Sequence, residues 1–382
     1  MKILLATDLY EPSISGIVTS VRILEEHLKK MGHDVKIMTL SNPLCTRSDD
    51  HIYFLPSFNA SLFYPNVRIV YPFRRRIVRE IAGWKPDIIH THCELSTFAY
   101  SCCVTARTHT PIVHTYHTVY EDYVNYLPLT GHLVRRMLPF LIGLVARQTK
   151  VMIVPTTKVT HILDRYRVKI KTVVIPSAIN ECFFKEHDGR SRSAIRAALG
   201  IAEDETVYVY LGRVAKEKNI TELLDFACTD ALPEGKILIV GDGPYRKTLE
   251  RYVRKCGLTD RVIFTGMVEP KEVPGYYLAG DIFINASLSE TQGLTYLEAM
   301  ACGLPVLCRD DPCLDGVIVN GENGFVYETK EEFAAYAARL VNDPGLRRSV
   351  GECAKKTVWE KYMPETYAKA CEKLYREVIE NA

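Results

Sequence analysis

The chain has 382 residues, 47% hydrophobic and 25% charged, with 22 Gly and 19 Pro, a composition that excludes disordered, collagenous and low-complexity classes. Single cores stop growing at roughly 250 to 300 residues, so two domains are expected. The formal net charge of +2 hides an asymmetry: residues 1–180 hold 22 Lys and Arg against 13 Asp and Glu, whereas the remainder holds 26 against 33, and a basic first half points to an anionic partner, membrane or nucleic acid.

The opening KILLAT reads as a buried strand, and Asp8, Glu11 and Pro12 follow it where a signal peptide would need an apolar run. Ile17, Val21, Leu24, Leu28 and Met31 recur at helical spacing until Gly32, and VKIMTL completes a βαβ unit. Apolar runs continue at DIIHTH, PIVHTY, VMIVP and TVVIP, each after a helix-length segment, as a parallel sheet requires. Within this half, residues 137–146 lie between Arg136 and Arg147 and supply about half of the roughly 20 apolar residues a membrane span needs. A domain boundary is expected near residues 176–184, with the charged stretch 185–196 forming the connection. Residues 206–330 repeat the alternation at TVYVYLG, KILIVG, RVIFTG, DIFINA and LPVLC, separated by amphipathic stretches such as 245–256, so a second doubly wound domain follows. Helices rich in Ala, Lys and Glu close the chain. The 12 Cys are scattered without a C-x-x-C, which fits a reducing cytosol and spells neither a zinc knuckle nor a dithiol redox motif.

The turn after the first strand reads DLYEPSISG, with Gly16 alone where a dinucleotide fold wants G-x-G-x-x-G, so a dehydrogenase is disfavoured. GRVAKEKN at 212–219 follows a strand at the carboxyl edge of the second sheet, where ligands bind. Arg213 offers a planar fork and Lys218 a mobile point charge, a pairing suited to a diphosphate, although two solvated loop cations would read the same way. In SETQGLTYLEAMACGLPVL, residues 289–307, Glu290 falls in a loop and Glu298 about one turn into a helix opening near Gln292 or Gly293, with Leu294, Leu297 and Ala301 inward. The amides of Gly293, Leu294 and Thr295 then form a phosphate site. Glu290 can accept from sugar hydroxyls, Glu298 from a ribose diol, and Gly293 permits close backbone approach.

With these residues in view, the sequence resembles the retaining GT-B glycosyltransferases of family 4, which move a sugar from a nucleoside diphosphate to an acceptor. The resemblance rests on Ser15-Gly16, His117 in HTYHT, Arg213 and Lys218, GDGP at 241–244, the Glu290/Glu298 pair and the closing WEKYMPETYAKACEKLYREV. It implies an α/β fold of two Rossmann-like doubly wound domains facing across a cleft: residues 1–178 with a crossover helix at about 364–382, and residues 179–363. It further implies that Gly16 belongs to the donor site, that Arg213 and Lys218 hold the diphosphate, Glu290 the donor sugar and Glu298 the ribose, and that backbone near Met267 and Val268 meets the base. His117, rather than His114, is implied to face the donor sugar, positioning a hydroxyl and stabilising charge at the anomeric carbon. Cations and a helix terminus assist departure of the diphosphate, so no cofactor is required and a divalent metal would only stimulate. One departure is that Thr291 and Gln292 precede Gly293, where the family more often has Gly two residues after the first Glu.

HTYHTVYEDYVNYL at 114–127 resembles the corresponding segment of bacterial diacylglycerol glucosyltransferases, and Tyr120, Glu121, Asp122 and Tyr123 could line an acceptor mouth. Residues 133–150 combine Arg135, Arg136, Arg147 and Lys150 with large apolar side chains, a pattern suited to a headgroup layer. Residues 63–84 place Arg74, Arg75, Arg76 and Arg79 beside aromatics, and anionic lipid attracts such clusters by about 1 kcal/mol per cation. Solvated helix faces of a soluble domain are the bland alternative. No nucleic-acid module is present. The expectation is therefore a peripheral, monotopic enzyme on the cytoplasmic side of the membrane that moves glucose from UDP-glucose to diacylglycerol with retention. The alternatives are a soluble, polyprenyl or inositol-lipid acceptor, or a nucleotide-sugar-binding protein or epimerase.

Overall fold

Strands buried on both faces and joined by helices pair in parallel, and this chain builds two such sheets. The computed structural model describes residues 1–13, 15–41, 50–59, 68–70, 75–123, 131–185 and 190–382. It divides into two compact units, Met1–Asn180 with Pro364–Ala382, and Glu181–Met363.

Unit 1 contains β1 (Lys2–Ala6), β2 (Asp34–Leu40), β3 (Ile52–Leu55), β4 (Ser57–Asn59), β5 (Arg68–Val70), β6 (Ile88–Thr91), β7 (Ile112–Thr115), β8 (Val151–Val154) and β9 (Thr172–Val174). Its helices are α1 (Gly16–Lys30), α2 (Arg75–Trp84), α3 (Ser96–Thr108), α4 (Tyr120–Tyr123), α5 (Gly131–Gln148) and α6 (Thr157–Arg165). Seven strands form one parallel sheet in the order β3-β2-β1-β6-β7-β8-β9, and β4 pairs with β5 as an antiparallel ribbon. Alternation along β1 sends Ile3 and Leu5 into the core with Val21, Leu24 and Leu28 of α1, and Leu4 and Ala6 into the opposite core with Val78, Ile81 and Ile142.

Unit 2 contains β10 (Val207–Leu211), β11 (Lys236–Val240), β12 (Val262–Gly266), β13 (Ile282–Asn285), β14 (Val306–Arg309) and β15 (Phe325–Tyr327), in the parallel order β12-β11-β10-β13-β14-β15. Its helices are α7 (Arg190–Ala198), α8 (Ile220–Cys228), α9 (Arg246–Lys255), α10 (Val273–Ala279), α11 (Leu294–Ala301), α12 (Lys330–Asn342) and α13 (Pro344–Lys361). The last helix, α14 (Pro364–Glu380), belongs to unit 1. There Tyr367, Ala368, Cys371, Leu374 and Tyr375 share the α1 core, and Ser20 Oγ lies 3.0 Å from Ser177 Oγ and 3.1 Å from the Tyr367 hydroxyl.

Two expectations need correction. The charged stretch 185–196 is not simply a connection, because its second part is α7, a helix of unit 2. Arg196 is fully buried there and donates to the carbonyls of Ala279, Ala202, Glu203 and Glu205 and, at 2.7 Å, to Asp281. Asp281 also takes Arg192 at 2.8 Å and the Val207 amide at 2.9 Å, so a charge run that reads as solvent-facing ties the starts of β10 and β13 together. The inward face of α11 also differs: Leu294 is half-buried, and Tyr296, Leu297, Ala299, Met300 and Ala301 fill the core. The sequence pattern also passed over β3, β15 and the β4–β5 ribbon, which have only three or four residues per strand.

Candidate functional site

At the carboxyl ends of β10 and β11 two loops meet backbone to backbone. The Gly212 amide donates to Val240 O at 3.0 Å and the Val214 amide to Asp242 O at 3.0 Å. A Cβ at Gly241 would stand 2.0 Å from the Gly212 carbonyl oxygen, and one at Gly243 2.3 Å from that of Val214, so only glycine permits this contact in GDGP. The contact fixes the loop that carries the cations. Tyr210 is buried and its hydroxyl donates to Arg213 O at 3.0 Å, while the Arg213 guanidinium lies 3.9 Å from Glu217. Lys218 ends a single 3-10 turn, Lys216–Lys218, and its Nζ donates to Glu290 Oε1 at 2.6 Å. The structure thus brings Lys218 and Glu290 together, whereas the resemblance implies separate contacts for them, the diphosphate and the sugar.

Gly293 caps α11 with φ +75°, and a Cβ there would overlap the Tyr296 ring at 2.2 Å. No side chain caps this helix, and its first amides, Leu294 and Thr295, have no intrahelical acceptor. One turn on, Glu298 accepts from the Tyr277 hydroxyl at 2.8 Å, and the same hydroxyl lies 3.2 Å from Thr295 O. Burial pushes the Glu298 carboxyl up to about 7, with the Tyr277 hydrogen bond opposing the shift. Met267 is strongly exposed and Val268 half-buried, just beyond β12. An anion at the α11 terminus would meet dipole, amides and cations of one sign.

In unit 1, Ser15 caps α1 by accepting from the Val18 amide at 3.3 Å, with Gly16 as the first helical residue. His117 lies two residues beyond β7 and is half-buried; its Nε2 stands 2.9 Å from Nδ1 of the buried His92, and the rings stack. Burial, with His114 nearby, pulls the His117 ring down to about 3, so it is neutral at physiological pH. His114 is buried in a different set of contacts: Thr91 Oγ1 lies 2.8 Å from its Nδ1 and Glu94 3.4 Å from its Nε2. The Tyr120 hydroxyl also donates to Glu94, and Glu121 pairs with Arg165 at 3.6 Å. Among the described residues no three His, Cys, Asp or Glu side chains are arranged to hold a metal ion.

Arg75, Arg76 and Arg79 are exposed on α2, and Arg135 and Arg136 on α5. Arg74 lies outside the described residues, as do the side chains of Asp122 and Tyr123. On α5, Leu138, Ile142 and Val145 face the core, while Met137, Phe140 and Leu144 are 56%, 66% and 41% exposed. Their spacing makes an outward apolar stripe on a helix that already has an inward one. No described helix is long and apolar enough to cross a membrane.

Sequence reasoning missed His92, Glu94 and Tyr277. HTHCE at 90–94 and HTYHT at 114–118 both follow strands, and β6 and β7 prove to be neighbours; two histidine-rich strand ends in one sheet were the available signal. Nothing in the spacing links Tyr277 to Glu298.

Residues 14–181 match the family model for glycosyltransferase family 4, and residues 191–357 the model for glycosyl transferases group 1. An alpha-monoglucosyldiacylglycerol synthase of Streptococcus pneumoniae is 36% identical over 91% of this chain and 80% of its own. An enzyme of the same name from Acholeplasma laidlawii is 33% identical over 100% of this chain and 98% of its own. The structure of HepE from Anabaena in complex with UDP-glucose shares the fold, with a TM-score of 0.77 at 17% identity over 100% of both chains. With both halves matched and relatives above 30% identity along nearly the whole length, the chain belongs to the family 4 glycosyltransferases of the GT-B fold and is an enzyme that transfers a glycosyl group.

Proposed function

We propose that this enzyme transfers glucose from UDP-glucose to the free hydroxyl of diacylglycerol, with retention at the anomeric carbon, as a peripheral protein on the cytoplasmic face of an anionic membrane. The observation that carries this reading is the near-full-length likeness to two alpha-monoglucosyldiacylglycerol synthases. The exposed stripe of Met137, Phe140 and Leu144, beside Arg135 and Arg136, supports it. A helix of this kind lies in the headgroup layer, apolar side chains in the lipid and guanidiniums on phosphate. Arg75, Arg76 and Arg79 of α2, Arg76 being paired with Glu80 at 2.7 Å, add further cations for anionic lipid.

On the donor side, the diphosphate replaces Glu290 as the partner of Lys218, with Arg213 and the Leu294 and Thr295 amides completing the cradle. Glu290, released from its pair, accepts from sugar hydroxyls, Glu298 accepts from the ribose diol, and backbone at Met267 and Val268 meets the uracil. As the bond to the anomeric carbon breaks, negative charge grows on the departing phosphate, where fixed cations and amides act without reorganising. His117 is neutral and positions the transferred sugar rather than attacking it. Tyr120 and Glu121, with Asp122 and Tyr123, serve the acceptor, and Gly16, the first residue of α1, contributes to donor binding. Transfer requires no cofactor, and a divalent ion would act only as a stimulant.

The test is incubation of the purified protein with radiolabelled UDP-glucose and vesicles of anionic phospholipid containing diacylglycerol. An alpha-glucosyl diacylglycerol is expected. Label that remains on UDP-glucose, or passes only to water-soluble acceptors, would overturn the reading.

A further inference from the structure

His92 is almost wholly buried, and of its two ring nitrogens Nδ1 faces His117 Nε2 at 2.9 Å while Nε2 is buried without a hydrogen-bond partner among the described residues. His90 packs on its face, with ring centroids 4.0 Å apart, and is itself held between Tyr375 and Thr115 at 2.6 Å each. His90 thus covers one face of the His92 ring, and His117 stacks on it as well.

Burial makes both rings of the pair neutral, so one nitrogen in the contact carries a proton and the other a lone pair. Two arrangements satisfy that condition. If His117 donates from Nε2, the single proton of His92 sits on its Nε2, and a buried N–H has no acceptor. If His92 donates from Nδ1, its Nε2 is a bare lone pair. An orphaned buried N–H is the rarer outcome and forfeits a strong donor that water would have satisfied. We infer that His92 is a positioning residue that donates from Nδ1 to His117 Nε2, confining the proton of His117 to Nδ1. Among the described residues that Nδ1 has no hydrogen-bond partner. His117 then offers substrate an N–H and no lone pair, which suits a sugar oxygen and rules out service as a base at that nitrogen. This inference rests on the proposed role of His117 in transfer, but the tautomer itself is independent of which acceptor is used.

The experiment is long-range proton–nitrogen correlation on protein labelled with nitrogen-15 histidine, at neutral pH and without ligand. The His117 signals are identified by their loss in His117→Gln. A pyrrole-type Nδ1 and a pyridine-type Nε2 at His117 are expected; a protonated Nε2 overturns the inference. In His92→Phe the His117 proton should redistribute between its nitrogens, with kcat lowered about tenfold or more and UDP affinity unchanged. His92→Asn, whose amide can donate to the same nitrogen, should regain most of that loss. Retention of a pure Nδ1–H form in His92→Phe also counts against the inference, and if that variant does not fold, the wild-type spectrum decides. A wild-type spectrum as expected, with no glucose reaching diacylglycerol, would refute the acceptor assignment and leave the tautomer standing.

Discussion

Around the α11 opening in unit 2 the polar groups are charged and partly exposed, Lys218 against Glu290 and Arg213 near Glu217. Around His117 in unit 1 burial keeps the His90, His92 and His117 rings neutral, and each is held by another side chain. The first arrangement suits capture of an anion, since an incoming phosphate can take the place of Glu290 against Lys218 and leave that cation paired. The second suits fixed orientation, because breaking any contact strands a buried group. One site is thus built of charged pairs and the other of fixed, stacked rings.

The largest effect expected from disturbing this contrast is structural. Arg196→Ala leaves Asp281 and the carbonyls of Ala202, Glu203, Glu205 and Ala279 with lost partners, and should destabilise unit 2 by about 3 to 5 kcal/mol; calorimetry should then show unit 2 melting earlier, while unit 1 is unchanged. His117→Ala should lower kcat about a hundredfold with UDP affinity preserved, measured by steady-state kinetics and titration. Loss of UDP affinity in parallel would blur the division between the two units.

A smaller effect concerns the outer stripe of α5. Burying a large apolar side chain stabilises by about 1.5 to 3 kcal/mol, so Phe140→Asp should weaken sedimentation with anionic vesicles by tenfold or more. Cleavage of UDP-glucose without vesicles should not change. The smallest effect is in pH. Glu298 ionises only near pH 7 in the fold, and accepting from a diol requires the carboxylate, so UDP affinity should rise severalfold between pH 6 and 8. Glu298→Gln should flatten the part of that rise due to this carboxyl. The same upward shift means that the folded chain holds a proton the unfolded chain has released, so this group favours the fold at low pH and that contribution is lost as pH rises towards 7.

Much of this was legible in the letters. Parallel strands covered on both faces read as unbroken apolar runs, which is why KILLAT and KILIVG announce themselves while the three residues of β15 do not. Gly293 was read as permitting close backbone approach, and the structure adds that it opens α11 at a φ of +75° that favours glycine. His92 beside His117, Tyr277 beside Glu298 and Arg196 beside Asp281 lie 25, 21 and 85 residues apart. Spacing cannot reveal such pairs, because the strand order of the sheet brings them together.

The central claim is that unit 2 grips the paired phosphates of a sugar nucleotide through Arg213, Lys218 and the α11 terminus. Calorimetric titration of UDP into the wild-type protein and into the double variant R213A/K218A tests it most directly. Affinity should fall by a hundredfold or more, about 3 kcal/mol, in a variant whose melting temperature is preserved. Equal affinity in the two proteins would contradict it.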